Sequence, residues 1–115
     1  MQRIHSDADI GEIVEHPILP EARHYFVAKV EADFDPLSQQ NNSLSLTFVR
    51  KSHVVCLQFK GVRELEIDAG FPYRWSGLMI CDISHLGWDA THIRVTGEEM
   101  DPGIRFWANT VERID

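Results

Sequence analysis

The stretch ISHLGWDATHIRV, residues 83–95, holds His85, His92, Trp88 and Asp89. Imidazoles and carboxylates at that density could serve acid–base catalysis or hold a metal ion. Two cysteines widen the set. His53 precedes Cys56 in an H-x₂-C spacing, and Cys81 precedes His85 in a C-x₃-H spacing, a faint likeness to zinc ligands. Strand geometry argues against it. His53 and Cys56 are an odd number of residues apart, so on an extended chain they point to opposite faces. Cys81 lies in the apolar run LMICDI, where a packed thiol is the ordinary occupant. No metal and no cofactor are expected.

Nucleophilic catalysis has little more to stand on. The chain has six histidines, but a reactive cysteine needs an electropositive, exposed setting, and both cysteines fall inside strand-like runs. The nucleophile elbow G-x-S-x-G and Gly-rich phosphate loops are absent. Asp82 is the most informative single residue, in phase with Leu78 and Ile80 on a face that reads as buried. A buried carboxylate needs hydrogen bonds or shifts its pKa. It is expected to accept backbone N–H bonds from the turn SHLG and so fix a corner, rather than to act as a general base, because no nucleophile or second carboxylate lies nearby. Trp88 then packs over the same corner, Gly87 supplies an unusual φ, and His85 and His92 sit at the rim. No catalytic residue is assigned.

The elements that must carry these residues have a period of two. In YFVAKVEADF, Phe26, Ala28, Val30, Ala32 and Phe34 share one face. After the polar loop DPLSQQNNS, the runs SLSLTFVR and HVVCLQFK place Leu44, Leu46, Phe48, Val55, Leu57 and Phe59 inward as a hairpin. Gly61 suits a bulge or a sharp bend. VRELEID buries Leu65 and Ile67 and turns Glu64, Glu66 and Asp68 outward. LMICDI, apolar on both faces, reads as a central or doubly covered strand. THIRV and IRFWANTV alternate again, and of the neighbours Phe106 and Trp107 one is exposed or meets a second layer. These are about seven antiparallel strands in one mainly β domain, a sandwich or a strongly bent sheet, over residues 23–115. Residues 1–22 form an arm or one short helix, opened by Ser6 with Asp9 as a weak capping box and stopped by Pro17 and Pro20. No βαβ pattern appears, which excludes a Rossmann layout.

Composition narrows the partners. The 115 residues are 43% hydrophobic and 25% charged, a globular balance, and the formal net charge is -7. That charge disfavours nucleic acid and anionic membrane surfaces and suits a basic protein partner. The opening residues lack the basic start and apolar stretch of a signal peptide, so a cytoplasmic location with free thiols is expected.

The second half resembles a widespread group of small bacterial proteins, some of them immunity proteins of toxin systems. Phe59, Val62, Leu65 and Ile67 match its first block, and Gly77, Leu78, Ile80 and Asp82 its second. Gly87 and Trp88 follow, then Val95, Glu98, Ile104, Phe106 and Ala108. The resemblance spans residues 59 to about 108. It implies a non-enzymatic inhibitor of a toxin, and it carries over no functional residue. From the residues themselves, the expected partner-binding surface is the acidic set Glu64, Glu66 and Asp68 with the aromatic and arginine loop Phe71, Tyr73, Arg74 and Trp75. The alternative is a small ligand-binding or enzymatic β domain with a pocket near Asp82 and Trp88. A homodimer module is a third option.

Overall fold

The computed structural model describes residues 14–67 (the backbone alone at Gln39), 77–88, 90–97 and 103–114. Eight strands form two four-stranded antiparallel sheets. The first sheet runs β1 (Phe26–Asp33), β2 (Ser43–Arg50), β3 (His53–Lys60) and β8 (Thr110–Arg113). The second runs β4 (Arg63–Ile67), β7 (Ile104–Ala108), β6 (Ile93–Thr96) and β5 (Met79–Asp82). Among the described residues, helical structure is limited to three single 3₁₀ turns, Ala22–His24, Gln39–Asn41 and Ser84–Leu86. The expected helix start at Ser6 and Asp9 lies outside the described residues. No helix among them is long and apolar enough to cross a membrane.

The eighth strand comes from a corner. IRFWANTV reads as one run, but it leaves the second sheet at Asn109 and enters the first. Beside it, β3 passes into β4 at Gly61. The Asn109 N–H donates to the Lys60 carbonyl at 2.8 Å, so the two bends are stitched together. Gly61 has φ +71°, a conformation that costs any residue with a Cβ. A Cβ there would stand 2.4 Å from the Asn109 side chain.

The core lies between the sheets. Leu44, Leu46, Phe48, Val55, Leu57 and Phe59 face Ile80, Ile93, Val95, Ile104 and Phe106. Burial of each is worth about 1.5–3 kcal/mol. Phe59 and Phe106 meet edge to face with ring centres 5.0 Å apart, one from each sheet. The β2–β3 hairpin keeps the expected alternation along its length.

Three strands depart from simple alternation. In β1 the register shifts between Val27 and Lys29, so Val27 and Val30 point inward, while Phe26 is 60% exposed. A bulge on an edge strand reverses the faces that a period of two predicts. In β4 the register shifts between Arg63 and Glu66: three steps on β4 span two on β7. Leu65 packs on the core as expected, but Ile67 is 48% exposed at the strand end. LMICDI is an edge strand rather than a central one. Its edge is covered by residues 14–16, through a Glu15–Cys81 bridge, the His16 N–H on the Ile80 carbonyl and the Asp82 N–H on the Val14 carbonyl, both at 2.8 Å. Its two faces are both covered, Ile80 in the core and Cys81 in a second cluster on the outer face.

Candidate functional site

That second cluster is the densest chemistry in the fold. The pairings Arg63–Trp107, Trp107–Arg94 and Arg94–Cys81 set four side chains in one row across the outer face of the second sheet. Trp107 is 4% exposed and Arg94 6%. The Arg94 guanidinium lies 4.2 Å from the centre of the Trp107 ring. A cation over an indole face gains about 2 kcal/mol or more when both are desolvated. The 3₁₀ turn after β5 folds over the row, bringing Leu86 and Trp88 onto Cys81, Ile83 and Trp107, and the Trp88 and Trp107 rings are 5.8 Å apart. Arg63 donates to the Thr91 hydroxyl. Burial pulls the Arg63 guanidinium below its ordinary pKa, and Glu64 opposes this.

Sequence reasoning missed Arg63, Thr91 and Arg94. The available signal was Trp107 beside Phe106: two large apolar neighbours on one strand mean that both faces of the sheet are covered, and a cation opposite such a tryptophan is stacked rather than solvated. The row holds cations, rings and a buried thiol. Its stacked cation and paired indoles stiffen the outer face of the second sheet.

The Asp82 corner is separate. Asp82 is only half-buried, not enclosed as its phase suggests. Its carboxylate accepts the Ser84 backbone N–H at 3.0 Å and the Ser84 hydroxyl at 2.6 Å. These bonds hold it below the usual carboxylate pKa, with His16 and His85 adding to the effect. A general base needs the reverse shift. Gly87 takes φ +68°, as its place after the turn requires. His85 is exposed, His92 is half-buried, and Asp89 lies outside the described residues. Trp88 packs into the outer cluster, whereas Asp82 faces His16. Among the described residues, no group of three His, Cys, Asp or Glu side chains is placed to hold a metal ion. Cys56 and Cys81 form no disulfide among the described residues, and His53 stands exposed at the start of β3.

His16 gives the corner a pH dependence. Its Nδ1 accepts the Ile18 N–H at 3.1 Å, and burial lowers its pKa from 6.5, with Asp82 opposing. The fold thus favours neutral His16 and ionised Asp82. For both groups the folded value lies below the unfolded one. The stability each contributes is complete above the unfolded value, 6.5 or 3.8, and is lost as pH falls through the folded value. The urea midpoint of the wild type should therefore fall between pH 7 and pH 5 more steeply than that of His16→Asn. The stability gap between wild type and Asp82→Asn should close only below the ordinary carboxylate value. Parallel curves for wild type and His16→Asn from pH 7 to 5 would refute the first point.

Of the expected binding residues, Glu64 is exposed at φ +52° in the β4 bulge. Glu66 lies opposite Arg105 and accepts its Nε at 3.0 Å. Both carboxylates are exposed. Asp68, Phe71, Tyr73, Arg74 and Trp75 lie outside the described residues. The strands around them are informative: Ile67 pairs with Ile104, and Met79 pairs with Thr96. The end of β4, the start of β5, the end of β6 and the start of β7 thus share one end of the second sheet. Ile67 and Met79, the strand residues that flank 68–76, and Thr96 and Ile104, those that flank 98–102, all stand at that end. No protein-family model, curated protein or solved structure matches the chain.

Proposed function

We propose that the chain is a protein-binding domain without catalysis, an immunity-type inhibitor that neutralises a basic bacterial toxin by covering part of its surface. The observation that carries the reading is the shared origin of the two connections. In sequence the two connections hold Asp68, Glu98, Glu99 and Asp101 with a single cation, Arg74, and the aromatic residues Phe71, Tyr73 and Trp75. Aromatic and acidic residues together suit a basic protein surface, and the field of an acidic chain speeds the encounter. The likeness of residues 59–108 to immunity proteins supports the same reading. A pocket at Asp82 and Trp88 has less support, because Ser84 donates to the carboxylate instead of being activated and Trp88 packs elsewhere.

The test is co-expression with the product of the adjacent upstream gene. That product should be toxic alone, and this chain should rescue growth and form a complex. The triple variant Glu98→Lys, Glu99→Lys, Asp101→Lys should bind about tenfold or more weakly, mainly through slower association, with an unchanged melting curve. A toxic product with no rescue and no complex overturns the function. Rescue and affinity untouched by the triple variant move the interface elsewhere.

A further inference from the structure

The first sheet ends at β1, and among the described residues no strand pairs with the outer edge of β1. The sheet edges at β5, β8 and β4 are covered or shorter. Residues 14–16 lie on β5, β8 has 4 residues, and β4 has 5 and carries a bulge. β1 has 8 residues. Along an antiparallel edge strand, alternate N–H and C=O pairs point away from the sheet, a template for one more strand.

The side chains of this edge select the strand that fits. Lys29 and Glu31 stand on the outer face, each side chain 64% exposed, with Nζ 2.7 Å from Oε1. Val30 between them opposes the buried Leu46 and packs on the core. The β2 residues opposite the two charges are neutral, Thr47 and Ser45. The charges thus flank Val30 with one sign on each side. A matching strand must bring a carboxylate to Lys29 and an ammonium to Glu31. A second β1, running antiparallel about Val30, does both.

We propose that two copies of the chain associate edge to edge through β1, antiparallel about Val30, so that their first sheets become one. The contact is isologous, with a two-fold axis at Val30. Lys29 of each copy opposes Glu31 of its partner. Opposed Cβ atoms lie about 4.5–5.5 Å apart across such a pair. The four charges therefore alternate in sign around a square, and the ion pair within each copy is extended rather than exchanged. Register follows from the same charges. Outward side chains must oppose outward ones, so the copies can slide only in steps of two residues. Centred on Lys29, the pairing sets Lys29 against itself. Centred on Glu31, it sets Glu31 against itself, and centred on Ala32, Glu31 against Asp33. The bulge between Val27 and Lys29 interrupts regular pairing beyond this segment, so the ladder is short and the dimer belongs to the weak, transient class. It does not depend on the immunity reading.

Sedimentation of the full chain from about 10 μM to about 1 mM spans the range of such contacts. The wild type should pass from monomer to dimer and stop there, because a two-fold contact closes. Added salt should weaken the dimer. Lys29→Glu and Glu31→Lys each set like charges opposite one another, and each should weaken it about tenfold or more. An equal mixture of these two variants should dimerise again, since one copy brings only acids to the axis and the other only bases. The double variant Lys29→Glu, Glu31→Lys should dimerise by itself as the wild type does. All three change exposed side chains and should keep the wild-type circular dichroism and melting curve. A wild type monomeric at the highest concentration overturns the proposal, including the case in which residues 1–13 or a different protein cover β1. So does growth beyond a dimer, a dimer that neither single variant weakens, or single variants that stay apart when mixed.

Discussion

Trp107→Ala should destabilise the protein by about 3–5 kcal/mol, the cost of emptying a buried aromatic site. A domain of this size is stable by about 5–15 kcal/mol, so the variant should sit near the edge of folding. Two losses combine. The indole fills the space between Arg63 and Arg94 on its neighbouring strands and supports Trp88 and Cys81. It is also the ring over which the buried Arg94 guanidinium stands. With the ring gone, the guanidinium loses its π surface. Trp107→Leu separates the two, since it refills volume without restoring the cation–π contact, and should fall between wild type and Trp107→Ala. Trp88→Ala should cost about 1–2 kcal/mol, because its ring is half-exposed and contributes one face of the pair. Urea unfolding followed by far-ultraviolet circular dichroism measures all three without relying on tryptophan emission. A Trp107→Ala variant within about 1 kcal/mol of wild type would mean that the outer face is not a packed layer.

The contrast between these tryptophans bears on what a sequence can reveal. The β2–β3 hairpin was legible because Leu44, Leu46, Phe48, Val55, Leu57 and Phe59 recur at every second position and all are buried, so alternation and burial agree. The bend at Gly61 was legible because a lone glycine in a strand pattern has few other uses. The bulges at Val27–Lys29 and Glu64–Leu65 were not. Each adds one residue on one strand only, and only the partner strand shows the mismatch. The same limit hid the candidate site. Arg63, Arg94 and Trp107 lie far apart along the chain and become a row only through pairing across three strands. Asp82 illustrates the opposite error: correct phase, but a strand end open to solvent, so burial did not follow from parity.

Gly61→Ala should cost about 2–5 kcal/mol, for two separable reasons. A left-handed φ costs a residue with a Cβ about 1–2 kcal/mol. The new methyl would also press on Asn109, whose Cγ and Nδ2 both stand 2.4 Å from its position, and overpacking of that kind adds about 1–3 kcal/mol. Asn109→Ala tests the division, since it removes the three atoms nearest the methyl. Alone it should be close to neutral. The Asn109 Oδ1 is buried with no hydrogen-bond partner among the described residues, and losing an unsatisfied acceptor offsets the lost packing. In the Asn109→Ala background, Gly61→Ala should then cost only the conformational share, about 1–2 kcal/mol. The double-mutant cycle should therefore show a coupling of about 1–3 kcal/mol. A coupling near zero would assign the whole cost to the backbone and leave the Asn109 contact without consequence. Because β3 and β7 both change sheets at this corner, the loss should appear as one cooperative transition at lower urea, with both sheets unfolding together.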